Sequence, residues 1–187
     1  FRYFDGGVRQ THHLAWGWIQ WGGNLRTSFF NRIKFEESFK GQRFTNFGRR
    51  GITTNWRPSQ SFTLGVEWNF GQSIAYNEAD LRLGRDQNVS VTAQFQFAGQ
   101  LRWNHMLTHA TMHEVDGSAL IYRGYIYRSG LEWSMTRATE LRLVAQWDDF
   151  SSQLLLQPVL TYRPNAFALV YAGGQSVDGT WQGFVKG

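Results

Sequence analysis

The segment Phe62-Thr63-Leu64-Gly65-Val66-Glu67-Trp68-Asn69-Phe70 alternates large apolar side chains with small or polar ones. Successive side chains of a strand point to opposite faces. Phe62, Leu64, Val66, Trp68 and Phe70 therefore share one surface, and Thr63, Gly65, Glu67 and Asn69 the other. The pattern recurs along the chain. Leu25, Thr27, Phe29, Ile33 and Phe35 alternate with Arg26, Ser28, Phe30, Arg32 and Lys34, and Ile52, Thr54 and Trp56 alternate with Gly51, Thr53, Asn55 and Arg57. Val89 to Phe97, Tyr125 to Trp133, Leu141 to Trp147 and Leu154 to Tyr162 repeat it. These segments predict an all-β chain of about 10–11 antiparallel strands of roughly ten residues, in up-and-down order.

The connections support that order. Gly22-Gly23-Asn24, Pro58-Ser59-Gln60, Ala98-Gly99-Gln100, Thr136-Arg137-Ala138 and Pro164-Asn165 are short turns. Between them fall longer polar stretches, expected as loops over about 40–48, 71–87, 110–118 and 174–180, with a tight connection from Asp148 to Ser151 as the exception. Short turns on one side and longer loops on the other are the outer-membrane arrangement. A faint repeat agrees: Trp56-Arg57-Pro58-Ser59 leads to Phe62, and Tyr162-Arg163-Pro164-Asn165 leads to Phe167. Each repeat brackets a turn with aromatics, which suit a bilayer interface where a ring is half dry.

The decisive question is where the apolar face points. A sandwich turns it inward, whereas an outer-membrane barrel turns it to lipid and keeps a polar lumen. The polar face carries Arg and Glu, which cost several kcal/mol each in a dry core. The apolar register holds two charges, Glu37 and Arg50, both towards the outer strand ends, where a charge costs little. Composition agrees: nine Trp and 17% aromatics coexist with a mean hydropathy of −0.42, as expected when every second residue faces water. No run approaches 18 apolar residues, which excludes a spanning helix. The reading is a transmembrane β-barrel, one domain over residues 1–187, in the bacterial outer membrane. The alternation of turns leaves an odd strand number, so the chain is expected to be the C-terminal part of a larger barrel that stops within its final strand.

By register, Arg26, Arg32, Lys34, Arg49, Arg57, Arg102, Arg128, Arg142 and Arg163 face the lumen, opposed by Glu36, Glu67, Glu132 and Asp148. Excess Arg and Lys in a water-filled pore favour anions; the same charges could equally pair across the lumen and stiffen the wall. Trp21, Trp56, Phe62, Trp68, Trp133, Trp147, Tyr162 and Phe167 are the expected lipid-interface aromatics. The net charge of +5 is scattered singly along strands, which argues against a nucleic-acid partner. The absence of cysteine removes disulfides and thiolate metal sites.

Further along, Tyr127-Arg128-Ser129, Met135-Thr136-Arg137, Glu140-Leu141-Arg142-Leu143-Val144-Ala145-Gln146-Trp147, Leu160-Thr161-Tyr162-Arg163-Pro164-Asn165 and Phe184-Val185-Lys186 carry a resemblance. From Gly117 onward the sequence resembles the C-terminal region of a Gram-negative family of unknown function. In that family an outer-membrane barrel follows a carbohydrate-binding module resembling family nine. The chain departs from it in lacking a module ahead of the barrel and an aromatic-ended strand after Lys186. The resemblance implies a barrel linked to glycan capture or uptake and offers no catalytic residues.

Other chemistry is sparse. His105, His109 and His113 would form a metal ridge on a helix, but on a strand residues four apart stand about 13 Å apart. They read as rim and loop residues. His12-His13 near Asp5 lacks an identifiable Ser partner, and Asp148-Asp149 offers too few carboxylates for calcium. No cofactor, metal or enzymatic activity is expected. The leading function is a channel or uptake path for small polar, anionic or saccharide solutes; the alternative is a non-conducting anchor or scaffold. Expected partners are outer-membrane lipid and lipopolysaccharide, with outer-membrane or periplasmic proteins as further candidates.

Overall fold

The computed structural model describes residues 2–4, 7–76, 81–165, 167–177 and 179–186, with side chains from residue 13 onward. Twelve strands form a single sheet whose spatial order is the chain order. They are β1 (Arg2–Phe4), β2 (Gly7–Trp21), β3 (Leu25–Phe39), β4 (Gln42–Ser59), β5 (Phe62–Ile74), β6 (Leu83–Phe97), β7 (Leu101–Glu114), β8 (Leu120–Ser134), β9 (Thr139–Asp148), β10 (Gln153–Asn165), β11 (Ala168–Val177) and β12 (Thr180–Lys186). The described residues contain no helix. The chain is thus all-β, antiparallel and up-and-down, as the alternation predicts, with the three-residue β1 added to eleven longer strands.

Several strands are much longer than expected, up to the 18 residues of β4. They absorb most of the predicted outer loops. Lys40 and Gly41, at φ 49° and 79°, turn β3 tightly into β4 where a loop over 40–48 is expected. Val177 pairs with Thr180 in place of a loop over 174–180. Within the stretch 71–87, the residues up to Ile74 and from Leu83 onward lie in strands, and within 110–118 those up to Glu114 do. In this last turn Asp116 accepts bonds from the backbone N–H (2.9 Å) and hydroxyl (2.7 Å) of Ser118, which hold its carboxyl below the usual aspartate range.

The period-two signal fades at these outer ends because bulges interrupt it. Lys34 (φ 51°) and Asn46 (φ 59°) sit in the left-handed region, and the β3–β4 register shifts between Arg32 and Phe35 and again before Glu37. An extra residue reverses which face the following side chains occupy. Phe35, assigned by sequence to the apolar register, instead pairs with Phe47 and is buried. Glu37 moves likewise and pairs with Phe44. Glu36, expected among the lumenal acids, lies beside Arg43 at 2.8 Å.

Two compact units divide the chain: residues 1–56, 66–90 and 109–123, and residues 57–65, 91–108 and 124–187. Within the first, Phe35, Phe44, Phe47 and Ile74 form a buried cluster, with Leu81 and Leu83 packed on it. Phe35 and Phe47 meet edge to face at 4.6 Å. Burying each such side chain contributes about 1.5–3 kcal/mol. Gly71 makes the neighbouring backbone approach feasible. At φ 146°, a Cβ there would stand 2.7 Å from Arg49 Cα and closer still to the Gly48 carbonyl oxygen. In the second unit, Phe150 lies across Gly124, and the Asp148 carboxylate accepts the Phe150 N–H at 2.9 Å, which builds the tight β9–β10 turn.

Candidate functional site

Strands β8, β9 and β10 show the two faces most plainly. On one, Tyr127, Trp147 and Leu154 pair in a row, followed by Leu131, Leu143 and Pro158, then Trp133, Leu141 and Leu160. On the other, Arg128 pairs with Gln146, Gly130 with Val144, and Glu132 with Arg142. The apolar side is left uncovered: Leu143, Leu154, Leu160, Tyr127 and Trp133 are all exposed, as are Trp181 and Val185 farther along. A continuous exposed apolar surface marks contact with another apolar phase or a partner.

The polar side of this unit holds a cavity of about 290 Å³ lined by Arg128, Arg142, Glu132, Asn104, Gln94 and Thr92, among others. Glu132 stands 3.3 Å from Arg102 and is the cross-strand partner of Arg142. An exposed pair of this kind contributes only about 0–1 kcal/mol, so it does not consume the charge it carries. Arg128 and Arg142 have no ion pair among the described residues. Arg128 and Arg142 in the lining, with Arg102 beside it, therefore face one glutamate among amide and hydroxyl groups. Such a set can hold an anion or a hydroxyl-rich solute through hydrogen bonds.

In the first unit the basic residues are arranged differently. Arg26 pairs with Asn55, and its guanidinium lies 4.8 Å from the centre of the Trp18 ring. Arg32 and Arg49 are direct cross-strand partners. Arg49 reaches Asp86 at 2.7 Å, and the Asp86 side chain is only 6% exposed. Replacing Asp86 with Asn strands the Arg49 charge. A fully buried pair broken this way costs about 3–5 kcal/mol, and Arg49 keeps a third of its surface in solvent, so a loss of roughly 2 kcal/mol is expected. The urea midpoint of refolding into vesicles should fall accordingly.

The other predicted lumenal positions are dispersed. Lys34 occupies the β3 bulge, exposed, and drops out of the alternating row. Glu67 accepts a hydrogen bond from the Asn69 side-chain amide. Arg57 and Arg163 lie exposed at the ends of β4 and β10.

Among the predicted interface aromatics, Trp21 and Trp56 both pair with Leu25 from opposite sides, and both are exposed. Phe62 meets Phe95 at 5.1 Å, and Trp68 meets Phe70 at 4.8 Å. Trp133 and Tyr162 are exposed, Trp147 is half-buried between Tyr127 and Leu154, and Phe167 stands fully in the open.

Two features escaped the sequence reading. His105, taken there as a rim residue, joins the aromatic row: its ring lies 4.4 Å from Trp103, and Nδ1 is 2.8 Å from the Tyr127 hydroxyl. Its spacing two residues beyond Trp103 was the available signal. Trp16 and Trp18 fall on the face of Phe30 and Ser28, with Trp16 71% exposed. Neither His109 nor His113 belongs to a metal-competent cluster among the described residues. Asp5 and the side chain of His12 lie outside the described residues.

No family model and no curated protein matches the sequence. One solved structure that it matches is described as "KdgM porin in complex with disordered oligogalacturonate". The match covers 95% of this chain and 92% of that one, at 6% identity and a TM-score of 0.40.

Proposed function

We propose that the chain forms the wall of a Gram-negative outer-membrane β-barrel whose polar face lines a path for small polar solutes, with a preference for anions and room for hydroxyl-rich saccharides. The observation that carries this reading is the division of β8–β10 into an uncovered apolar face and an arginine-rich, cavity-bearing face. Lipid covers the first, and water with its solutes fills the second. Strand length fits. An apolar band about 25 Å tall needs roughly 9–11 tilted residues, so strands of 15 residues span it with their outer ends to spare. Outer-membrane lipid and lipopolysaccharide are then the primary partners, and the resemblance carried by the C-terminal third points to a protein that handles glycans.

In planar bilayers the purified chain should give stable unit conductance, with chloride favoured over potassium in a salt gradient. Complete electrical silence of correctly inserted protein rejects the channel. The anchor reading predicts that silence, and one observation favours it: Phe35, Phe44 and Phe47 bury themselves beside the charged row of Arg32 and Arg49, where an open path would be wet.

A further inference from the structure

We propose that Trp16 and Trp18 form a stacking platform, in the first unit, for the pyranose rings of a linear neutral oligosaccharide. The proposal rests on the reading that the polar face meets water, and it names the class of solute that this part of the face takes. Cross-strand partners share a face, and the register of β2, β3 and β4 sets out three rows. These are Gln20, Arg26 and Asn55; Trp18, Ser28 and Thr53; and Trp16, Phe30 and Gly51. The two indoles therefore stand among amides, hydroxyls and a guanidinium, on the face opposite Ile19, Trp21, Leu25 and Ile52. Trp16 is 71% exposed and Trp18 53%. Neither indole N–H has a hydrogen-bond partner among the described residues.

An open tryptophan is ordinary on a lipid-facing surface, where hydrocarbon or the headgroup zone receives it. On a wet face it holds a large apolar area against water, and such a patch marks a site of contact. Local features keep both rings open. Phe30, the cross-strand neighbour of Trp16, leans the other way, over Gly51: a Cβ there would lie 2.8 Å from the Phe30 Cζ. The glycine thus gives Phe30 a place to lie that leaves Trp16 uncovered. Arg26 sets its guanidinium 4.8 Å from the centre of the Trp18 ring, which braces that ring while half of the residue stays open.

The chemistry of these rows selects the ligand. A pyranose presents C–H groups on its faces and hydroxyls around its rim. The faces suit an indole plane, and the rim suits planar donors and acceptors beside it. Arg26 offers a fork of N–H donors to adjacent hydroxyls, and Gln20 and Asn55 flank it with amides. The Gln20 amide nitrogen already donates to the Leu25 carbonyl at 3.1 Å, which fixes the amide and leaves its oxygen to accept. Residues two apart on a strand stand about 6.7 Å from one another. Trp16 and Trp18 therefore address successive units of a linear chain rather than one ring twice. The rows hold a single charge, already stacked on Trp18, so aromatic contact rather than ion pairing governs the choice.

Cellotriose, a linear neutral trisaccharide, is the probe, and sorbitol, which has hydroxyls but no ring, is its match. Both are titrated calorimetrically into the full chain folded in micelles of a detergent without a sugar headgroup. Cellotriose should bind in the millimolar range, and sorbitol at least tenfold more weakly. Trp16→Ala should weaken cellotriose at least tenfold, and Trp16→Phe, which keeps an aromatic plane, by about threefold or less. Trp18→Ala should match Trp16→Ala, and Trp133→Phe, on the apolar face of β8, should leave binding unchanged. Should Trp18→Ala fail to fold, Trp16→Ala and the difference between cellotriose and sorbitol decide. Equal binding of the two probes, no binding of cellotriose, undiminished binding by Trp16→Ala, or an equal loss in Trp133→Phe overturns the proposal. No current is measured. Absent binding with an anion-selective current intact therefore removes the platform alone, whereas electrical silence with cellotriose still bound removes the channel alone.

Discussion

Replacing Arg128 and Arg142 together by glutamate should convert an anion-preferring conductance into a cation-preferring one. The cavity is lined by Arg128 and Arg142 against Glu132, a formal balance of +1, and Arg102 stands beside it, 3.3 Å from Glu132. The double variant leaves three glutamates and no arginine in the lining, a balance of −3, with Arg102 beside them. Charges near a water-filled constriction set the sign of the field that a permeant ion meets, and little else in the fold has to change. Both side chains occupy the polar register on neighbouring strands, opposite Gln146 and Glu132, so neither substitution disturbs the apolar rows. The reversal potential under a potassium chloride gradient should therefore change sign, with unit conductance of the same order. An unaltered reversal potential would mean that these groups do not line the conducting path, and the proposed function would lose its support. Screening adds a check: because exposed charges are shielded within about 10 Å at 0.1 M salt, the selectivity should weaken as salt rises.

The second large effect concerns the opposite face. Leu143 sits mid-strand in β9 between Leu131 and Pro158, with 38% of its surface open. In a bilayer that opening faces hydrocarbon, and arginine at the mid-plane costs about 2–4 kcal/mol. Leu143→Arg should lower folding stability in vesicles by that amount, read from the urea dependence of tryptophan fluorescence. Gln146→Arg, three positions away on the polar face, should cost little. In a water-soluble protein with this surface exposed to solvent, Leu143→Arg would be harmless. A neutral outcome would remove lipid from the account altogether.

Both experiments rest on a division that is visible in the sequence wherever the strand is regular. Leu141, Leu143, Ala145 and Trp147 alternate with Arg142, Val144, Gln146 and Asp148 without interruption, and the observed pairing keeps them on opposite sides. The same reading misplaced Phe35, Glu36 and Glu37. A bulge at Lys34 leaves no mark in composition, because lysine has no preference for the left-handed region that would betray it. Expected loops turned into strand for a related reason. Polar residues at the outer ends of β3, β4 and β11 need not alternate with apolar ones, since both faces can be wet there, so the periodic signal vanishes while the hydrogen-bonded ladder continues. The Arg128–Arg142 cavity was legible as a basic register, though not as a cavity, because enclosure depends on which neighbours are large. The meeting of Arg32 and Arg49 beside buried Phe35 and Phe47 was not legible at all: it arises only because bulges and Gly71 bring separate segments together.

Every strand lies beside its predecessor and its successor in the chain, with no crossover anywhere in the sheet. Contacts of this short sequence range carry a small loop-closure penalty. The polypeptide can thus be laid down as successive hairpins, each offering its free edge as the template for the next. Nascent segments never have to thread past finished ones, which would suit insertion from one side if the proposed outer-membrane location holds.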